Sequence, residues 1–523
     1  MSTFTQTGFH SSSHSRGVVD ELGWRIDTSY LALPDALWTR AVPEPVASPS
    51  EVIWNVSLAQ QLGLNMDRLA PDQRAAFAVG HHWPTAATPL AQAYAGHQFG
   101  HLAVLGDGRA VLMGEHLTPE GQRVDVQWKG SGRTRYSRRG DGRAALGPML
   151  REYVISEAMH ALGVPTSRSL CVALTGEPVL RERALPGAVL TRVAASHLRV
   201  GTVQWAAMQN DATVLPRLIE YALWRHPAPD LAADNAALQL LQSVMQRQIE
   251  LVVHWARVGF VHGVMNTDNM TLSGETLDYG PCAFIDIYNP KAVFSSIDTQ
   301  GRYAFDQQAG IAQWNIARLA EALIPAIHAD QELAVQQAVA VLEAFPSLYR
   351  QAWLNMMRGK LGWVHDHEDD EQLIQEGMSC FEALQLDYTA TFAHLRLAVN
   401  RGLMATDWQW SRMRNAALPA IESPALERAH AWLQAWQSRC MHEAQPDQAK
   451  ALMASSNPWR IPRNHAVEAA LAQAQEGQLQ ALHDLLDALQ KPYEPWHGFD
   501  PLPLELDATA LPPLMAYQTF CGT

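Results

Sequence analysis

The sequence predicts an α+β protein of two lobes, strand-rich first and helical after, with a further helical extension behind them. Three observations carry that prediction. From about 84 to 205, short apolar runs alternate with Gly-rich turns around a single helical stretch. Beyond 210, apolar residues recur every three or four positions, and residues 260–300 interrupt that pattern with Gly, Asn, Asp and Pro. Strands with one helix, then helices opening on a polar loop, is the order of a two-lobed protein-kinase-like fold. The division expected is 1–83 as an extended N-terminal segment, 84–205 as the strand-rich lobe, 206–360 as the helical lobe and 361–523 as the extension.

The elements follow in order. Residues 1–50 are polar and Pro-punctuated, and read as extended. Ala103–Leu105, Ala110–Gly114, Val124–Trp128 and Val189–Val193 read as strands. The helix among them runs from about Pro148 to Leu162, with Leu150, Val154, Ala158 and Ala161 on one side. Asp234 or Asn235 caps the next helix, whose Leu238, Leu241, Met245, Ile249 and Val252 share a face until Gly259 ends it. Long helices resume from 308 to 360. The acidic run His365–Glu371 reads as a solvated loop, and the tail after Lys491, with six prolines, as extended.

Composition narrows the function. The 523 residues are 47% hydrophobic and 18% charged, enough for a large core and too little charge for a disordered chain. No apolar run is long enough to span a bilayer, and the N-terminus has no secretory h-region. The five cysteines stand far apart without a CxxC, which fits a reducing cytoplasm rather than a disulfide scaffold. A net charge of −14 opposes nonspecific binding to nucleic acid or an anionic membrane. Neither is an expected partner.

Leu105-Gly-Asp-Gly-Arg-Ala110 is the first segment with chemistry in it. Glycines let peptide N–H groups approach phosphate, although the segment alone also reads as a hairpin turn. Val124-Asp-Val-Gln-Trp-Lys129 then places Lys129 at a strand end behind a Gly-rich hairpin, where a kinase keeps its phosphate-binding lysine. Glu152 on the following helix is the candidate carboxylate to hold it, with Glu157 as competitor. Between strand and helix, residues 133–143 carry five arginines, a cationic loop suited to a polyphosphate. Asp141-Gly142 offers a carboxylate and a turn beside that anion, and Arg192 and Arg199 add two guanidinium groups.

The decisive segment is Val261-His-Gly-Val-Met-Asn-Thr-Asp-Asn-Met270, followed by Leu277-Asp-Tyr-Gly280. Set on the kinase pattern H-x-D-x-x-x-x-N and its later Asp-x-Gly, His262 puts Asn269 and Asp278 on the metal-binding positions, hard oxygens suited to Mg²⁺. The kinase base position, however, holds Val264, which can neither orient nor deprotonate a hydroxyl. Asp268 is the acid left over. The pair His97 and His101 invites a zinc reading, but Gly96 and Gly100 disfavour the helix it needs, so structural histidines are expected.

These motifs together resemble the selenoprotein O family, from Tyr94-Ala-Gly-His-Gln-Phe-Gly100 through Gln127-Trp-Lys-Gly-Ser-Gly132 and Arg139-Gly-Asp-Gly142 to Asp278-Tyr-Gly-Pro281 and Gln300-Gly-Arg-Tyr303. The resemblance implies a kinase-like fold that transfers AMP from ATP to Ser, Thr or Tyr hydroxyls of proteins, with ATP flipped relative to kinases. It also implies Mg²⁺ or Mn²⁺, and for some bacterial members UMP transfer from UTP. Gly106, Gly108, Arg109, Lys129, Asp141, Gly142, Arg192 and Arg199 would bind the nucleotide. Asp268 would accept the proton, Asn269 and Asp278 would hold the metal, and Glu152 would pair with Lys129. Relatives carry selenocysteine or cysteine where Cys521 stands, and some pair it with a cysteine whose matching position here is Ser295. A relocated-base kinase, an ATP-binding pseudokinase and an RNA-binding module on the Arg-rich loop are the alternatives.

Overall fold

The computed structural model describes residues 19–228, 231, 233, 235–415, 417–443, 445–494 and 517–519. Its centre is a nine-stranded antiparallel sheet. The strand order is Trp38–Arg40, Leu90–Gln92, Ala110–Leu117, Arg123–Lys129, Ala184–Ala194, Arg168–Leu180 and Ser50–Trp54. Ile26–Asp27 lies beside Ala110–Leu117, and Ala144–Ala145 beside Ala184–Ala194. The four strands read from the sequence are present, longer in three cases; Ala103–Leu105 is found as His101–Val104 in a separate hairpin with Ala95–Gln98.

Strand alternation separates two cores. Val111, Met113, Val126, Trp128, Cys171 and Val189 point to one face, and Leu112, Val172 and Leu190 to the other. The first face is covered by the segment expected to be extended. Within 19–83, short strands and the helices Val56–Gln61 and Pro71–Ala78 pack Trp24, Leu58 and Phe77 against Trp128. Prolines masked this order in the sequence. Trp38–Arg40 and Ser50–Trp54 lie at the two ends of the strand order, where a missing N–H is tolerated nearby.

The second face carries the helix Leu146–Ala161, with Leu150, Val154 and Ala158 buried against Leu190 and Val172. The helix Ala236–Val258 starts at Asn235, whose side chain accepts from Leu238 N at 2.8 Å, and ends at Gly259 with φ +74°. Asp234, the alternative cap, lies outside the described residues. The long helices expected over 308–360 are three: Gln308–Ile327, Gln331–Glu343 and Phe345–Leu361.

Behind them Asp370–Leu384, Tyr388–Arg401 and Ser423–Met441 enclose a second helical core around Trp363, Phe381, Trp432 and Trp436. The acidic run is not wholly solvated: Asp370 is buried and accepts from Arg358 at 2.7 Å and Arg439 at 3.1 Å. The Pro-rich tail from 495 to 516 lies outside the described residues. Among those described, no helix is long and apolar enough to cross a membrane.

The helices Asn464–Gln475 and Gln480–Leu489 return to the first core and pack Val467, Leu471 and Leu482 against the Leu146–Ala161 helix. If that return is part of the fold's stability, Leu482→Ala should cost about 2–5 kcal/mol, as buried leucine truncations do. A urea midpoint equal to wild type would contradict this packing.

Candidate active site

Antiparallel register places Lys129 opposite Leu190 and Gln127 opposite Arg192. Gln127, Lys129 and Arg192 therefore share the face that meets the Leu146–Ala161 helix. On that helix Glu152 accepts from Lys129 Nζ at 2.6 Å and from Arg192 Nη1 at 3.1 Å. Glu157, one and a half turns on, is spent on Arg168 at 2.7 and 2.9 Å and on Ser169 N. The geometry thus selects Glu152 of the two as the partner of Lys129.

Asp278 sits across from them in left-handed backbone, φ +64°. Its Oδ1 accepts from Lys129 at 2.5 Å and Arg192 at 2.7 Å, and its Oδ2 from Arg199 at 2.9 Å. Burial opposes its charge, but Lys129, Arg192 and Arg199 together hold the carboxyl well below the usual carboxylate range. Arg199 precedes the helix Val200–Ala207, donates also to Asp268 O at 2.6 Å, and lies 4.6 Å over the Tyr94 ring. Three cations meet two carboxylates directly here, and the Asp107 and Asp268 carboxylates are close enough to act on Arg199 as well.

The loop below is pinned at both ends by the pairing of Phe260–Val261 with Ala283–Phe284. His262 is buried, and its Nε2 bonds to Leu277 O at 3.1 Å, which ties the two halves of the loop together. Asp268 lies in the single turn Thr267–Asn269. Burial pushes its carboxyl up to about 6 against the pull of Arg199, and its Oδ1 is buried without a partner among the described residues. The hairpin Ala95–Gln98/His101–Val104 closes over it through His97 N to Thr267 Oγ1 at 2.7 Å and Phe99 N to Asn266 Oδ1 at 3.1 Å. A Cβ on Gly96 would stand 2.2 Å from Asp268 Oδ1. His97 bonds through Nδ1 to Gln204 at 2.8 Å and packs its edge on Trp314; His101 is exposed on the outer strand. His97 is thus held as a structural histidine.

Gly106 and Gly108 form a turn against the Arg-rich loop. At Gly106, φ +132°, a Cβ would meet the Tyr136 ring at 2.4 Å; at Gly108 it would meet Tyr136 O at 2.7 Å. Thr134 Oγ1 donates to Asp107 O at 2.6 Å and Ser137 Oγ to Gly108 O at 2.5 Å, and Arg138 donates to Val104 O. Arg109, Arg133 and Arg139 line the cavity beyond. Asp141 is engaged by Arg181 at 2.8 Å, and Gly142, φ +67°, packs on Gly132 O. Gly106, Gly108, Arg109, Asp141, Gly142, Lys129, Glu152, Arg192, Arg199, Asp268, Asn269 and Asp278 all line one cavity of about 1120 Å³.

The donor chemistry at Asn269 and Asp278 fits a divalent cation. Asn269 spends its Nδ2 on Val264 O at 3.0 Å and keeps its Oδ1 as a hard ligand. Of the roughly four lone-pair positions on a carboxylate, the three cations take three on Asp278, leaving one on Oδ2.

Sequence reading passed over four contributors. Asp107 stands inside the Gly-Asp-Gly turn, and Gln127 two residues before Lys129 on the same face, where alternation made it legible. Tyr94 stood in the Tyr94–Gly100 motif but received no role. Nor did Tyr517–Thr519, which reach the cavity wall from the far end of the chain. Thr519 bonds to Phe294 O and Pro281 O, each at 2.8 Å, and its carbonyl accepts from Ser296 N at 2.9 Å. Cys521 lies outside the described residues. Ser295 bridges to Thr519, and Cys282 is buried with its thiol pushed up to about 11.

The comparisons with known proteins agree with this geometry. The family model described as Protein adenylyltransferase SelO matches residues 25–490. The protein nucleotidyltransferase YdiU of Syntrophotalea carbinolica is 50% identical over 505 residues, covering 96% of this chain and 98% of its own length. Those of Geobacillus kaustophilus and Nitrosococcus oceani are 49% and 48% identical, each over 96% of this chain and 100% and 98% of their own lengths. With a family model spanning most of its length and relatives at about half identity, the chain belongs to the SelO family of protein adenylyltransferases.

Proposed function

We propose that this chain transfers the nucleoside monophosphate of ATP, or of UTP, to serine, threonine and tyrosine hydroxyls of proteins, releasing pyrophosphate. The observation that carries the reading is where the charges sit. Lys129, Arg192 and Arg199 converge on Asp278 deep in the cavity, Asp268 keeps an unpartnered buried oxygen, and the kinase base position holds Val264. The fold that accompanies it is a two-lobed kinase-like core, 84–205 and 206–360, with 1–83 in front and 361–523 behind. The strand bearing Lys129, packed on the helix bearing Glu152 and above the 262–278 loop, supports that division. The compartment proposed is the cytoplasm, in keeping with buried, unpaired Cys171, Cys282 and Cys380.

The chemistry follows from the charges. The β- and γ-phosphates lie with Lys129, Arg192 and Arg199, and the α-phosphate faces outward toward Asp268. Asn269 and Asp278 would hold Mg²⁺ or Mn²⁺, which when bound supplies positive charge to the triphosphate oxygens. The acceptor oxygen attacks the α-phosphorus, the bond from that phosphorus to the oxygen bridging to the β-phosphate breaks, and the acceptor proton passes to Asp268. Pyrophosphate leaves more highly charged than the acceptor side, and the surplus cations stabilise it where that charge develops. Glu152 holds Lys129 and Arg192 in place throughout.

Three outcomes test the reading. With a divalent metal and a protein acceptor, label from α-³²P ATP should become protein-bound and label from γ-³²P ATP should leave as pyrophosphate. γ-Label retained on protein would make the chain a kinase, and no label at all despite ATP binding would make it a pseudokinase. Asp268→Asn should keep ATP affinity and lower kcat by about 10²–10⁴-fold, the range of general acid–base groups. Unchanged kcat with weakened binding would remove it as proton acceptor. Asp278→Ala should abolish turnover and the dependence of ATP affinity on metal; a variant whose affinity still rises with Mg²⁺ would refute the metal assignment.

A further inference from the structure

Between the two glycines of the turn stands a carboxylate that the transfer chemistry leaves without a role. Asp107 is 2% exposed and touches no cation directly. Its Oδ2 accepts from Gln92 N at 3.0 Å and from Gln127 Nε2 at 3.2 Å. Gln127, fully buried, turns its other end to Arg192: Oε1 accepts from Nη2 at 2.6 Å. Arg192 Nη1 then reaches Asp278 and Glu152. The chain of contacts crosses adjacent strands because Arg192 is register-paired with Gln127. Asp107 itself is fixed by its backbone, with its N–H on Gln92 O at 2.9 Å and its carbonyl held by Thr134.

We propose that Asp107 and Gln127 are positioning residues that hold the Arg192 guanidinium in its aim at the β,γ end of the triphosphate, an inference that rests on the nucleotidyl-transfer reading. An amide is the side chain that donates to a carboxylate at one end and accepts from a guanidinium at the other. It therefore fixes Arg192 without neutralising it. A direct Asp107–Arg192 pair would turn the guanidinium away from the cavity and spend its charge on a buried carboxylate. A glutamate at 127 would put a negative charge against Arg192 and set two carboxylates side by side. A leucine there would leave Asp107 Oδ2 and Arg192 Nη2 each short of a buried partner. The turn that places Gly106 and Gly108 at the cavity thereby also sets the angle of a cation two strands away.

The test is isothermal titration of the full chain, with Mg²⁺, using inorganic tripolyphosphate, ATP and AMP as probes. Gln127→Glu and Gln127→Leu should weaken tripolyphosphate and ATP by the same factor, about tenfold or more for a lost charge-assisted contact. AMP, which lacks the phosphates Arg192 faces, should bind as to wild type. Asp107→Asn keeps an oxygen for Gln127 to donate to and should stay within about threefold of wild type. Gln127 variants that bind tripolyphosphate normally, or that lose AMP equally, would overturn the relay, as would Asp107→Asn falling as far as Gln127→Leu. Should Gln127→Leu fail to fold, the isosteric Gln127→Glu carries the test. A wild type that binds neither ATP nor tripolyphosphate would instead contradict the transfer reading beneath it.

Discussion

One carboxylate organises the site. Asp278, in left-handed backbone, is gripped by Lys129, Arg192 and Arg199, and every other feature of the cavity either delivers one of those groups or responds to their charge. Such a cluster is costly, because taking ions out of water loses several kcal/mol each even after relaxation. Across the whole cavity, nine lysine and arginine side chains stand against six carboxylates, which leaves it short of negative charge. A polyanion completes it. The same excess distinguishes this cavity from the rest of a chain whose net charge is −14.

The scaffold exists to bring five separated segments to that point. Antiparallel register supplies Lys129 and Arg192 from neighbouring strands, a helix supplies Glu152, a helix start supplies Arg199, and a pinned loop supplies Asp278. The C-terminal helices brace two of these. Glu468 accepts from Arg151 at 2.6 Å beside Glu152, and Arg151 also donates to Cys282 O at 2.7 Å, just beyond the Asp278 loop. The Asn464 amide bonds to both the N–H and the carbonyl of Phe284, at 3.2 and 2.8 Å. The extension is therefore a structural clamp on the cavity rather than an appendage.

What the sequence revealed followed from patterns with a short physical range. The Lys129 strand end, the Glu152 helix and the 262–278 loop were legible because each is a local motif with its own spacing. Glu152 was named ahead of Glu157 on the same helix, but what occupies Glu157, its pair with Arg168, is a tertiary contact with no local signal. Residues 19–83 were misread because prolines beside edge strands imitate an extended coil while Trp24, Leu58 and Phe77 are spaced without a clear period. Asp370 looked solvated within an acidic run; two arginines distant in sequence bury it. Residues 517–519 reach the cavity by pairing with residues 294–296 and 281, more than two hundred positions away, which no local spacing reveals.

The central claim is the direction in which the triphosphate lies. A crystal structure with the non-transferable analogue α,β-methylene-ATP and Mg²⁺ measures it directly. The account predicts the β- and γ-phosphates within ion-pair distance of Lys129, Arg192 and Arg199, with the α-phosphorus the one nearest Asp268. A γ-phosphate beside Asp268, with the α-phosphate at the three cations, would contradict it.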